Sequence, residues 1–414
     1  MLNELKLMNR NSFNNPFAAL KHRNFCYYWF GMCFSLIGTW MQNIAQPWLA
    51  YSLTKSPFLL SLVGALQFTP MLLFSLFAGV LIDRWPKKRI LLFTQSASML
   101  VTCTLATLVT LGQVRYWHIL VAATALGVVN TFDMPTRQSF VIELVGKEDL
   151  MNAIALNSSV FNLARILGPA LAGLVMAGAG VGACFYANSV SFAAVILGLS
   201  FIKPLTVYQR PQQNKKIWVD IKDGLLYIRQ NANLWRTLII TAIVGTFGMN
   251  INVLVPVFAK VILKQQARGF GFLMSFMGAG SFLGAMVVAM MSKTGPKKLV
   301  LYGSPLFVAA FLILTGYSNQ YLLTGLGMAA IGLCFVSFSS TANSTMQLNT
   351  RDEYRGRVMS IYTLVFSGLT PVGNLYAGGI TDRFGPRVGF AACGIITILL
   401  YFLMFVWRKK IKLK

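Results

Sequence analysis

Acidic residues are scarce in this chain: eleven in 414, against 36 lysines and arginines. Charged residues of both signs make up 11% of the sequence, where a soluble globular protein carries about 25%. A chain so poor in charge and 56% hydrophobic cannot cover a water-facing surface, which excludes soluble enzymes and soluble binding modules. Histidine is nearly absent. His22 and His118 stand alone, so neither a metal cluster nor a nucleophile–base set can be built around them. No Gly-x-x-x-x-Gly-Lys-Ser/Thr stretch occurs, and ATP-driven transport by this chain loses its phosphate cradle. The cysteines (Cys26, Cys33, Cys103, Cys184, Cys334, Cys393) form no Cys-x-x-Cys pair and fall in or beside apolar runs. They read as small packing residues rather than disulfides or metal ligands. The first 23 residues are polar and Asn-rich, without the apolar region and cleavage site of a signal peptide. No cofactor and no enzymatic chemistry are expected.

What is present is apolar and periodic. Twelve runs are long enough to cross a bilayer at 1.5 Å per residue: residues 25–51, 59–81, 90–111, 116–132, 153–177, 183–202, 238–258, 269–291, 299–317, 321–343, 358–380 and 389–406. These are numbered spans 1–12. The expected fold is all-α and integral to the membrane, with twelve transmembrane helices in two six-helix, pseudo-symmetric halves at 25–202 and 238–406. A cytoplasmic segment (1–24), a cytoplasmic linker (203–237) and a basic tail (407–414) complete it. With both termini on one side, the segments of that side carry 28 lysines and arginines, the opposite loops seven, and Arg165 alone lies within a run. The positive-inside rule then places the termini in the cytoplasm. The formal charge of +25 follows from this sorting and gives no reason to expect nucleic acid. In the linker, Trp218, Ile221, Leu225 and Ile228 recur at helical spacing among bases. That pattern predicts an amphipathic helix, lying either on the inner leaflet or against the protein's own cytoplasmic face.

The halves repeat. Residues 147–152 (KEDLMN) set against residues 352–357 (DEYRGR), a shift of 205. The same shift brings Ala172-Gly173 onto Ala377-Gly378 and Gly79 onto Gly284. Polar loops align in this repeat, as a transporter built from two parallel halves requires.

Between spans 2 and 3 lies Gly79-Val80-Leu81-Ile82-Asp83-Arg84-Trp85-Pro86-Lys87-Lys88-Arg89. Its pattern, Gly-x-Leu-x-Asp-Arg-x-x-Lys-Lys, resembles the signature loop between helices 2 and 3 of the major facilitator superfamily of secondary transporters. Pro86 stands where the family usually has Gly. The resemblance implies a conformational clasp of Gly79, Asp83, Arg84, Lys87, Lys88 and Arg89. In it the acid caps the cytoplasmic start of helix 11, which a helix dipole favours by about 0.3–1 kcal/mol, and the bases pair with acids of the 4–5 loop. The other reading of the turn is a bare positive-inside anchor. In span 5, Gly168-Pro169-x-x-x-Gly173 resembles the helix-5 signature of superfamily exporters that run against protons, which implies a proton as coupling ion. Generic small-residue packing is the alternative.

Further similarity is carried by Phe17-Ala18-Ala19-Leu20-Lys21-His22-Arg23-Asn24-Phe25, by Leu36-Ile37-Gly38-Thr39-Trp40-Met41-Gln42 and by Phe132-Asp133-Met134-Pro135-Thr136-Arg137-Gln138. These look like the enterobactin-exporter-like branch, which implies secretion of siderophores or other hydrophilic metabolites across the bacterial inner membrane by a monomer. Drug and macrolide exporters also occur among such relatives. A membrane receptor or scaffold without transport is the reading from another class.

Arg165 is the one base read as deep in a span, and burying it costs about 2.5–3.5 kcal/mol even on the insertion scale. It is a candidate contact for an anionic substrate or a proton relay; a permanent pair with Asp133, or with helix-end carbonyls, is the alternative. Asp133 is placed at the end of span 4, where a helix-end pair with Arg84, Arg137 or Arg165 is its alternative role, and no acid is expected deep in a span. That leaves a positive interior and an anionic or neutral cargo. Polar residues within spans complete the candidate pathway: Asn43, Gln46, Asn130, Asn157, Asn250, Asn343 and Tyr362. Thr39, Asn43 and Gln46 share one helical face. In the resembling fold helices 1, 4, 7 and 10 line the cavity, and interhelical bonding is the competing role for each amide.

Overall fold

The computed structural model describes residues 17–203, 217–291 and 295–411. Among them the chain is helical throughout, without strands. A bilayer dictates this, because each backbone N–H and C=O must be satisfied within its own segment. After a 3₁₀ turn at Ala18–Lys21, the helices are α1 (Arg23–Thr54), α2 (Pro57–Arg84), α3 (Lys87–Thr110), α4 (Tyr116–Val145), α5 (Leu150–Ala179), α6 (Val181–Phe201), α7 (Ile217–Gln230), α8 (Ala232–Phe247), α9 (Ile251–Val261), α10 (Ala267–Met290), α11 (Lys298–Tyr317), α12 (Tyr321–Leu348), α13 (Asp352–Gly368), α14 (Thr370–Phe384) and α15 (Pro386–Ile411).

Spans 1–6 are α1–α6. Spans 7 and 11 are each two helices, α8–α9 and α13–α14, and spans 8, 9, 10 and 12 are α10, α11, α12 and α15. Eleven described helical stretches are long and apolar enough to cross a membrane. Span 1, at 32 residues, is long enough, but Gln42, Asn43 and Gln46 lower its apolarity. Spans 1–6 pack together, as do spans 7–12, and the halves meet chiefly where span 2 lies on span 11 and span 5 on span 8.

Three expectations need correction. Spans 7 and 11 are not continuous. Span 7 breaks at Gly248–Asn250, where Asn250 Nδ2 donates to the carbonyls of Thr246 (2.9 Å) and Phe247 (3.3 Å) that the break frees. Span 11 breaks at Leu369, and Gly373 just beyond packs on Thr246 O, where a Cβ would overlap. The two interruptions face each other.

Span 4 does not end at Asp133 either. It runs on to Val145 through Pro135, so Asp133 is a buried acid inside a span, 7% exposed. Arg137 likewise lies inside the helix rather than in a loop, so Arg165 is not the only base within a span. The reason is local compensation. Asp133 and Arg137 are one turn apart and pair, while Thr94 Oγ1 (2.7 Å) and Gln95 Nε2 (2.8 Å) donate to the same carboxylate from span 3. With those partners the helix need not stop to let the acid reach water.

The linker helix α7 packs against the start of span 11. Tyr227 stacks on Tyr354 with ring centres 4.4 Å apart, the Arg351 N–H donates to the Tyr227 hydroxyl, and Asp223 lies 4.0 Å from Arg357. The Trp218 side chain, residues 1–16 and residues 412–414 lie outside the described residues.

Candidate functional site: a cleft between the halves

With an even number of spans, both ends of the bundle's chain lie on one face, here called the terminus face. On the other face the halves are joined. Asp382, at the end of span 11, accepts hydrogen bonds from Ser56 Oγ (2.7 Å) and from the Phe58 N–H (3.3 Å) at the start of span 2. Lys260 of span 7 reaches Ser52 Oγ at 3.4 Å and lies over the rings of Trp48 and Tyr51 of span 1. Trp48 stacks on Phe270 of span 8, centroids 5.5 Å apart.

Spans 5 and 8 approach along glycines. A Cβ on Gly173 would sit 3.0 Å from Arg268 O and one on Gly271 2.5 Å from Pro169 O; deeper in, a Cβ on Gly278 would sit 2.5 Å from Arg165 O. Close helix contact of this kind is what small residues permit inside a membrane. Of the span-5 motif, Gly173 and Pro169 therefore meet the other half, whereas Gly168 packs within its own half on Trp40 Cβ.

Toward the terminus face this contact is lost. A Cβ on Gly79 would meet nothing within 4 Å, and Arg84, Trp85 and Arg89 are exposed. The side chain of Asp83 lies outside the described residues. Lys87 pairs with Glu143 near the end of span 4, and Lys88 Nζ donates to Ile202 O at 2.7 Å at the end of span 6. Both bases are thus held within their own half. The buried core has the same form: one cluster spans both halves, while the terminus-side core of the first half stands apart from it. Among the described residues the halves are joined at the face opposite the termini and apart at the terminus face, which leaves a cleft between them.

Arg165 lies where the halves first meet, beside Gly278. Its guanidinium sits 5.7 Å from the centre of the Trp40 ring, and that indole meets Phe161 edge-on at 5.7 Å. Asp133 does not pair with Arg165; its carboxylate is occupied by Arg137, Thr94 and Gln95. Among the described residues Arg165 has no acidic partner and no side-chain hydrogen bond. A half-buried cation with its donors unused, one face on an aromatic ring, can take an anion.

The expected amides divide. Gln46 is buried with its Nε2 unpartnered, and its Oε1 lies 3.4 Å from Gln42 Nε2. Gln42, a polar residue of span 1 that was not among the expected pathway residues, accepts from Thr102 (3.2 Å) and Asn188 (2.6 Å) and so ties spans 1, 3 and 6. Its place in a run of three amides on one span was the available signal. Asn43 and Asn157 are half-buried, and Asn130 is exposed. Asn250 serves the break in span 7. Asn343 accepts from Gln347 at 2.6 Å, and the buried Tyr362 hydroxyl donates to Ser339 O at 3.3 Å. The structure therefore does not gather these residues into one ring around Arg165.

A family model described as "Transmembrane secretion effector" matches residues 14–412. The chain belongs to that family. It is a multi-pass transporter of the major facilitator superfamily, and the family and its relatives are membrane transporters rather than enzymes. The staphyloferrin A transporter of Staphylococcus aureus is 26% identical over 94% of this chain and 97% of its own length. The multidrug efflux pump Tap of Mycolicibacterium fortuitum is 24% identical over 88% and 90%. Macrolide efflux protein A of Streptococcus pyogenes is 21% identical over 89% and 92%. Among solved structures, the nucleoside transporter NupG superposes with a TM-score of 0.72 at 12% identity, covering 95% of this chain and 98% of that one. A bacterial Spinster homologue in an inward-facing, unoccupied conformation gives 0.70 at 12% identity, covering 92% and 96%. These likenesses establish the family's fold for this transporter.

Proposed function

We propose that this transporter exports a small anionic metabolite of the siderophore class from the bacterial cytoplasm in exchange for protons, by alternating access. Its termini and the open cleft would face the cytoplasm, as the distribution of lysine and arginine favours. One observation carries the cargo assignment: Arg165, at the floor of the cleft, keeps its hydrogen-bond donors free. In a site of low dielectric a cation brought near it is repelled by several kcal/mol, and an anion is attracted by a similar amount. Guanidinium also grips a carboxylate through two parallel hydrogen bonds. The similarity to a staphyloferrin A transporter supports the same class. Exchange against protons rests on the Gly168-Pro169-Gly173 motif and on the missing ATP cradle.

The test is flux in membrane vesicles. Arg165→Lys keeps the charge and loses the fork, and should weaken transport; Arg165→Ala should remove it. Hydrogen bonds to a charged group are worth about 1.5–3 kcal/mol, a tenfold to hundredfold loss of affinity for carboxylate cargo. Parental flux by an inserted Arg165→Ala protein refutes the contact. Collapse of the proton gradient with ATP retained should stop flux; continued flux refutes proton coupling. A second reading, efflux of neutral or macrolide-like drugs, is favoured by the Trp40–Phe161 pair at the same place. It gives the opposite outcome: drug flux that survives Arg165→Ala and falls with Trp40→Ala.

A further inference from the structure

The ends of spans 2 and 11 carry the same short pattern at opposite faces. Span 2 finishes at the terminus face with Gly79-x-x-x-Asp83-Arg84-Trp85, and span 11 finishes at the other face with Gly378-x-x-x-Asp382-Arg383-Phe384. The two spans are antiparallel and pack on one another across the halves. Each acid is therefore the last turn of a helix lying beside the first turn of the other.

The states of the two copies differ. Gly378 is packed so closely on span 2 that a Cβ there would overlap the Ser61 side chain and lie 2.9 Å from Pro57 O, whereas a Cβ on Gly79 would meet nothing. Asp382 Oδ1 takes the Phe58 N–H and the Ser56 hydroxyl, and Ser56 Oγ in turn accepts from the Leu59 N–H at 3.3 Å. Ser56 is the N-cap of span 2. A carboxylate at this point takes up orphan amide donors of the first turn and meets the positive end of the helix dipole.

We infer that Asp382, with Ser56 and Gly378, is a second latch, the inverted counterpart of the Gly79–Asp83 turn, and that it holds the cleft shut at the face opposite the termini. The two latches are exclusive, because engaging one requires spans 2 and 11 to diverge at the other. Asp382 is a positioning residue: it touches no cargo, and the inference depends neither on the cargo nor on the direction of transport. Arg383 is directed elsewhere, its guanidinium lying 5.6 Å from the ring centre of Phe384, so the acid rather than the base makes the bridge.

Hydrogen–deuterium exchange of the full chain in lipid nanodiscs tests this, because the two faces report in opposite directions. Asp382→Ala should speed amide exchange at residues 56–62 and 378–385 about fivefold, the equivalent of an N-cap's ~1 kcal/mol. It should also slow exchange at residues 79–90 and 351–357, as the terminus face closes. Ser56→Ala should shift both faces the same way to a smaller extent, and Asp382→Glu should restore the parental pattern in part. Faster exchange at 56–62 with no slowing at the terminus face would mean local fraying, and overturns the latch. If Asp382→Ala fails to insert, Ser56→Ala decides by the same two-sided criterion.

Discussion

Replacing Gly271 by Ala separates the surface that joins the halves from the packing inside each half. A Cβ at Gly271 would lie 2.5 Å from Pro169 O and 2.7 Å from Gly173 Cα, both across the boundary and both backbone. Neither neighbour can rotate away, so the methyl group must be accommodated by spans 5 and 8 moving apart. Overpacking of this kind costs about 1–3 kcal/mol. Here the cost falls only on the conformation in which the two spans touch. At 1.4 kcal/mol per decade, the closed-to-open ratio at the face away from the termini should drop by roughly tenfold to a hundredfold.

Asn374→Cys provides the reporter. The side chain is buried at 5% exposure, packed on Gly64 of span 2, and Cys is smaller than the amide it replaces. Its labelling by a water-soluble maleimide should rise in proportion to the open population once the parental cysteine background is subtracted. Gly280→Ala is the control. That methyl would overlap Ala329 O in span 10, within one half, so it should lower the melting temperature and leave the labelling rate alone. An inserted Gly271→Ala protein labelled at the parental rate would refute the argument that this contact belongs to one conformation only.

Asp83→Asn should abolish transport while leaving the protein in the membrane, since the clasp needs the carboxylate; normal flux in that variant would dismiss the clasp. Asp133→Ala strands Arg137 in the interior and should cost about 3–5 kcal/mol, read as lost thermal stability in detergent. Asp133→Ala with Arg137→Leu should recover much of it, and a double variant no better than the single would show that the pair is not the cause. At the terminus face, hydrogen bonds from Lys21 and His22 hold the Asp149 carboxyl below its ordinary value of 3.8. A depressed carboxylate stabilises above its unfolded value and loses that contribution only as pH falls through the folded one. Exchange protection of residues 17–22 should therefore stay constant from pH 8 to about 5, and Asp149→Asn should weaken it at pH 7 by no more than about 1 kcal/mol.

The chain's class, its spans and its division into halves were legible from sequence because each depends on local composition. A bilayer accepts only apolar helices of a set length, so runs such as 299–317 and 321–343 announce themselves, and the repeat of polar loops shows the doubling. The charged turn at Gly79–Arg89 and the Gly168-Pro169-Gly173 motif were visible as patterns for the same reason. Whether a buried polar group is paired is not a local property. Asp133 looked like a helix end because an unpartnered acid would have to be one. Its partners come from span 3 and from one turn along its own helix, and only the packing of spans 3 and 4 reveals that they meet. At the break in span 11, Pro371 in the first turn after Leu369 was a local signal that went unread; span 7 has no proline at Gly248–Asn250, and only the packing shows Gly373 lying against Thr246 there. The tertiary structure alone placed Arg165 on Trp40 rather than on Asp133. It alone joined Asp382 to Ser56, 326 residues away: such a contact is made where the two halves pack together, and no window of sequence contains both partners.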